Sequence, residues 1–297
     1  MPRLMAVLAM ALGCGGHGDP PGPKPRRHEV PAKPDAGAAP ALPRFTVYAT
    51  AADALKAVLA TKPRVLGFGE VHVVEGAAPV ASAVERFTGL LDTLAPHLSD
   101  LVIETWISEG HCGKTEAKVT KDVPRETARP PETESELVRL ASRARALGVQ
   151  PQALTLTCKD YDALVGKAGQ VDYEKMLSLL TRELLRVSYG AVRERDAKPD
   201  SRPIVAVYGG AIHNDLHPPA ETRPWSYATQ LAAQVPGYVE VDLYVPELVK
   251  DHAMISKEPW YPLLDRAAPD KVVLIERGPR SYVLLLQKGI APAKPVR

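Results

Sequence analysis

From Phe45 onward one pattern recurs: a short, nearly unbroken apolar run, then a longer segment with apolar residues at helical spacing. The runs "RVLGF" (64–68), "DLVIE" (100–104), "ALTLT" (153–157), "PIVAVYGG" (203–210) and "YVEVDLYV" (238–245) are too short for buried helices. Most of them, 64–68, 100–104 and 203–210 above all, also lack the alternation of a strand with one wet face. Between them, residues 51–60, 78–98, 133–148, 160–166, 172 to about 196, and 226–235 read as helices. The third of these, 133–148, carries its own signals, a Thr133-x-x-Glu136 start and a Gly148 stop. Strands alternating with helices require right-handed crossovers. The expected fold is therefore α/β, a three-layer arrangement with a largely parallel sheet and helices on both faces. The last run, 271–289, divides around Arg277-Gly278-Pro279-Arg280 and reads as a C-terminal antiparallel hairpin at the sheet edge. Residues 105–132, charged and holding Pro124, Pro130 and Pro131, read as a long polar loop.

Before residue 45 the chemistry changes. Arg3 precedes the apolar "LMAVLAMAL" (4–12), which ends at Gly13-Cys14. Nine apolar residues are too few to span a bilayer. The arrangement resembles a bacterial lipoprotein signal peptide, residues 1–13, with Cys14 as the lipidated residue. Residues 15–44 hold eight Pro and five Gly without an apolar period. With Cys14 they read as a tether, able to reach about 90 Å at roughly 3 Å per residue. The expected location is the bacterial cell envelope, anchored to the lipid bilayer through Cys14, on the outer membrane facing the periplasm or the surface. Residues 45–297 read as one α/β domain. The formal net charge of +2, with no basic stripe, excludes nucleic acid as an expected partner.

Two other cysteines, Cys112 and Cys158, remain. An even pair in an oxidising compartment suggests a disulfide; two reduced cysteines are the alternative. Each follows a strand that ends at the same edge of the sheet.

That edge carries the chemistry. In an open parallel sheet, ligands bind outside the carboxyl ends of the strands. The first strand delivers Glu70 and His72, which share a direction through the two-residue period. The second delivers Glu104 and Trp106. The fourth ends in Tyr208-Gly209-Gly210 and delivers His213 and Asn214, and the fifth ends near Asp242. One strand-end carboxylate is most often only solvated or hydrogen-bonded. Two glutamates and two histidines converging on one rim supply proton acceptors or metal ligands. His217, four residues after His213, would complete a helical metal pair, but Pro218 and Pro219 oppose a helix there. His252 reads as a surface residue. Gly67-x-Gly69 begins like a dinucleotide fingerprint, but His72 stands where its third Gly belongs, which argues against NAD.

The stretches "LGFGEVH" (66–72), "LVIE" (101–104) and "VYGGAIH" (207–213), in that order, resemble a superfamily. It joins ChaN-type haem-binding lipoproteins, erythromycin esterase-like hydrolases and the TraB/Tiki group. The single residue between Glu70 and His72 is closer to the ChaN-type pattern. The resemblance implies two functions. In one, the chain hydrolyses an ester or amide of a small-molecule or envelope substrate. His72 or His213 is then the general base, and Glu70 or Glu104 orients it, or His72, His213 and Glu70 hold a divalent metal. In the other, the rim binds haem or another ligand without catalysis, with a His or Tyr208 as axial ligand. Trp106, Tyr208 and Asn214 are the expected ligand-contacting residues in either case. A polar rim on an envelope scaffold is the weaker third reading. Two acid–base elements exceed what one axial ligand needs, which favours hydrolysis.

The anchor is testable directly. Cys14→Ala is expected to move the protein from the membrane pellet to the soluble envelope fraction; a variant that stays in the pellet refutes lipidation there.

Overall fold

The near-continuous apolar runs become the centre of an eight-stranded sheet. The computed structural model describes residues 42–166, 169–198 and 200–292. The signal-peptide segment, Cys14 and nearly all of the tether lie outside the described residues. In chain order the first elements are β1 (Phe45–Tyr48), α1 (Ala51–Leu59), β2 (Val65–Glu70), α2 (Ala83–Leu94) and β3 (Leu98–Glu109). There follow α3 (Gly113–Glu126), α4 (Glu132–Ala146), β4 (Gln150–Thr157), α5 (Cys158–Leu164) and α6 (Tyr173–Asp196). The chain continues through β5 (Ile204–Gly210), α7 (Ala211–Asn214), α8 (Ala228–Gln234), β6 (Tyr238–Tyr244), α9 (Pro246–Val249), β7 (Val272–Gly278) and β8 (Ser281–Leu285).

Across the sheet the order is β1-β7-β8-β6-β2-β5-β3-β4. Every neighbouring pair from β8 to β4 is parallel, and β7 is antiparallel to both β8 and β1. The two faces of each strand feed two cores. Leu66, Phe68, Ile103, Ala206 and Tyr208 pack with residues of α1, α2 and α4. Val65, Val102, Val205 and Val207 pack with residues of α3, α5, α6 and α8 on the other side. Phe87 of α2 sits 4.7 Å from the Phe68 ring and 4.6 Å from that of Tyr208, pinning the helix over β2 and β5. Fully burying each such ring contributes about 1.5–3 kcal/mol.

The α/β, largely parallel architecture with an antiparallel C-terminal pair is the one expected. Three details differ. The hairpin is not the edge: β8 pairs in parallel with β6, and β7 is covered by β1, a four-residue strand too short to show a period. The helix expected over 78–98 spans Ala83–Leu94 because Ser82 caps it through the Glu85 N–H and Pro96 cannot continue its hydrogen bonds. The expected loop 105–132 does not exist as such. β3 runs on to Glu109 beside β4 through an irregularity between Ile103 and Trp106, and α3 follows it. Its polar sequence hides a narrow apolar stripe, Val119 and Val123, that packs on the second core. Among the described residues no helix is long and apolar enough to cross a membrane.

Cys112 and Cys158 form a disulfide, with Cα atoms 4.8 Å apart and 46 residues of separation. It ties the residue capping α3 to the first residue of α5. Closing a loop of that length stabilises the fold by about 4 kcal/mol in the chain-entropy account. Replacing both cysteines with Ala is expected to lower the unfolding free energy by about that amount in urea titration, and an unchanged midpoint would show the bridge is idle.

Candidate functional site

Glu70 closes β2 and lies level with Gly210 of β5. Tyr208 is paired with Phe68 on one side and with Ile103 of β3 on the other, so Glu104 comes level with the Gly209–Gly210 end of β5. The glycine there is a requirement: a Cβ on Gly209 would lie 2.4 Å from Glu104 Oε2. Gly69 answers the same need on β2, where a Cβ would come within 2.2 Å of Asp242 Oδ1. With no side chain on these positions, the turn α7 can follow β5 directly and fold against β2.

Both oxygens of Glu70 are engaged. Oε2 accepts from the Tyr208 hydroxyl at 2.8 Å, and Oε1 meets His72 Nδ1 at 3.0 Å. A carboxylate only accepts, so Nδ1 carries a proton, and in the neutral ring Nε2 is the acceptor. His72 Nε2 lies 3.9 Å from Glu104 Oε1, while Glu104 Oε2 accepts from the Gly210 N–H at 2.7 Å. The His213 ring is arranged in the same way by a different partner. Its Nδ1 donates to the Trp225 carbonyl at 2.7 Å and lies 3.1 Å from Thr181 Oγ1. Glu70, His72, Glu104 and His213 all line one cavity of about 400 Å³. Glu70, Glu104 and His213 are buried, whereas the His72 side chain is 33% exposed.

Burial alone would raise the Glu104 carboxyl. His213, His72 and Arg129, with the Gly210 N–H, outweigh it and hold the group below the ordinary glutamate value. Tyr208 is pushed well above its ordinary value, first by burial and then by the Glu70 carboxylate, so its hydroxyl stays a donor. A second polar group adjoins. Arg277 pairs with Asp215 at 2.6 Å and Glu240 at 2.5 Å, and reaches Asp242 Oδ2 at 3.8 Å. Burial, reinforced by Glu240, raises Asp242 well above the usual carboxylate range.

Other expected positions fall elsewhere. Asn214 is not turned to the cavity; its amide donates to the Gly67 carbonyl at 3.0 Å and its oxygen accepts from Tyr227 and Tyr238. Tyr208 is buried and bonded to Glu70, which removes it as an axial ligand. Trp106 lines a neighbouring cavity rather than this one. His217 is occupied by the Pro279 carbonyl. Among the described residues no group of three or more His, Cys, Asp or Glu side chains is arranged to hold a metal ion. The expected divalent set of His72, His213 and Glu70 is not among such groups, and the Glu70 oxygens bond instead to Tyr208 and His72. Sequence reasoning missed Arg129, His252 and Arg277, which line the cavity. Arg129 and His252 come from segments without regular periodicity, and Arg277 from the end of β7, whose place in the sheet the local sequence does not reveal.

The fold and its rim define an α/β protein with a polar cleft at the carboxyl ends of parallel strands. No family model and no curated protein matches the chain. Among solved structures it is similar to the type III effector HopBA1, at 12% identity over 68% of this chain and 86% of that one, with a TM-score of 0.42. A Bacillus cereus protein is 10% identical over 82% and 93% of the two chains, with a TM-score of 0.41. ChaN of Campylobacter jejuni, which binds haem cofacially, is 12% identical over 81% and 96%, with a TM-score of 0.34.

A carboxyl held below its unfolded value adds stability that is complete above that value and lost as pH falls through the folded one. The stability difference between wild type and Glu104→Gln is therefore expected to shrink as pH drops below 4.5, the ordinary glutamate value. Urea titrations at stepped pH measure it; a pH-independent difference contradicts the assignment.

Proposed function

We propose that the chain is a hydrolase of ester or amide bonds, held at the cell envelope through Cys14, with His72 as general base. The observation that carries this is the Glu70–His72 pair at 3.0 Å. A buried carboxylate fixes Nδ1–H, Tyr208 fixes the carboxylate, and Nε2 faces the cavity as the acceptor. In the reaction His72 Nε2 takes a proton from water as the water oxygen attacks the substrate carbonyl carbon. The imidazolium formed lies between Glu70 and Glu104, whose negative charges stabilise it. It then returns the proton to the leaving oxygen or nitrogen as the carbonyl–heteroatom bond breaks. His213, its Nδ1–H committed to Trp225, offers Nε2 to orient the water. Positioned acid–base groups of this kind contribute about 10²–10⁴-fold.

A second reading rests on the same ring. An imidazole whose Nδ1–H is held by a carboxylate is also oriented to ligate iron through Nε2. In that case the chain binds haem, with His72 as the axial ligand.

One set of experiments separates the two. On a panel of aryl esters and anilides, His72→Ala is expected to lower kcat about 10²–10⁴-fold with an unchanged circular dichroism spectrum, and His213→Ala to lower it as well. Wild-type protein without turnover above buffer refutes the hydrolase reading. A Soret band on haem addition that is lost in His72→Ala would then support the second.

A further inference from the structure

The Glu/His cavity is half of a larger cleft. A second cavity of about 430 Å³ adjoins it, and Glu104 and Arg129 line both. The second lobe is walled by Trp106 and Tyr161 and by Val119, Val123, Leu137 and Pro131, with the exposed Glu134 at its rim. The lobe's wall is largely apolar and aromatic, and one cation, Arg129, lines both it and the polar cavity.

That cation is held by fewer partners than the other inward-turned arginines; Arg86 also has one buried guanidinium nitrogen without a partner, but its Nε and Nη1 donate to the Ala81 and Gln287 carbonyls. Arg195 donates to the Arg64 and Pro203 carbonyls and pairs with Asp196. Arg202 donates to the Ala95 and Leu98 carbonyls. Arg277 is held by Asp215 and Glu240. Among the described residues Arg129 has no ion pair, and its Nε is buried with no hydrogen-bond partner. A buried N–H donor left unmade is unfavourable, so its retention calls for a compensating role. Its backbone is also firmly placed. Ala128 adopts φ 49°, a left-handed conformation that Ala takes only under constraint. The Arg129 N–H donates to the Pro124 carbonyl at 3.0 Å, and Pro130 and Pro131 follow at once.

We propose that the Trp106 lobe binds the non-reacting part of the substrate and that Arg129 takes an anionic group on it. The substrate class is then an amphipathic anion, a carboxylate- or sulfonate-like group on an aromatic or aliphatic body. This rests on the adjoining Glu/His cavity being the reactive one. The competing role for Arg129 is that of counter-charge to Glu104, whose carboxyl it influences.

Binding is measured without turnover on the full-length chain, using the fluorescent anion 8-anilinonaphthalene-1-sulfonate and the neutral N-phenyl-1-naphthylamine. Arg129→Ala is expected to weaken the sulfonate about tenfold and to leave the neutral probe unchanged. Trp106→Ala is expected to weaken both, which places both in the lobe. No sulfonate binding to wild type, equal effects of Arg129→Ala on the two probes, or no effect of Trp106→Ala would each overturn the proposal. If the probes behave as expected while no ester or amide is cleaved, the hydrolase reading fails and the anion lobe stands.

Discussion

The site depends on β5 being threaded between β2 and β3. Parallel pairing on both sides of β5 brings Phe68, Tyr208 and Ile103 into line, and the strand ends follow. Glu70, Gly210 and Glu104 then reach the same edge, one from each strand. The Gly210 N–H completes the arrangement by donating to Glu104. A different neighbour for β5 would leave two buried carboxylates on separate parts of the sheet, each without the partner that makes burial tolerable.

Burial of charge is the main energetic burden of this edge. Glu70, Glu104, Glu240 and Asp242 are all buried on three strands, β2, β3 and β6, with Glu240 further back along β6 than the other three. Removing a carboxylate from water is costly unless hydrogen bonds or opposite charges replace the solvent. The chain does so with donors from several elements: Tyr208 and His72 for Glu70, Gly210 for Glu104, and Arg277 and Leu216 for Glu240. Asp242 is less well served, with Oδ1 buried and unpartnered, and burial raises both its carboxyl and that of Glu240. A polar edge assembled this way sacrifices stability for placed functional groups, and the disulfide at the same end offsets part of it by constraining the unfolded chain.

The parts of the molecule legible in advance were those with a short-range pattern. The apolar runs appear as β2, β4, β5 and β6 within a few residues of where they were expected. The period of two brought Glu70 and His72 to one side, and the glycines at 69 and 209 announced close approach. Where polarity masked packing, reading failed. β3 continues past Glu104, and α3 buries only Val119, Asp122 and Val123. Arg129 and His252 come from segments without a period, so only the folded chain reveals that they face the cavity.

The sequence by itself determined which segments are strands, which residues leave each strand, and which side of the strand each takes. Those are local consequences of backbone geometry and of apolar spacing. Strand order, the seating of β8 beside β6, the diversion of Asn214 to the buried tyrosines and the unpaired state of Arg129 were decided by the tertiary structure alone. Ladder hydrogen bonds join backbone groups common to nearly every residue and therefore carry little sequence identity. The choice of neighbour is made by the packing of side chains far apart in the chain, and only the assembled cores express it.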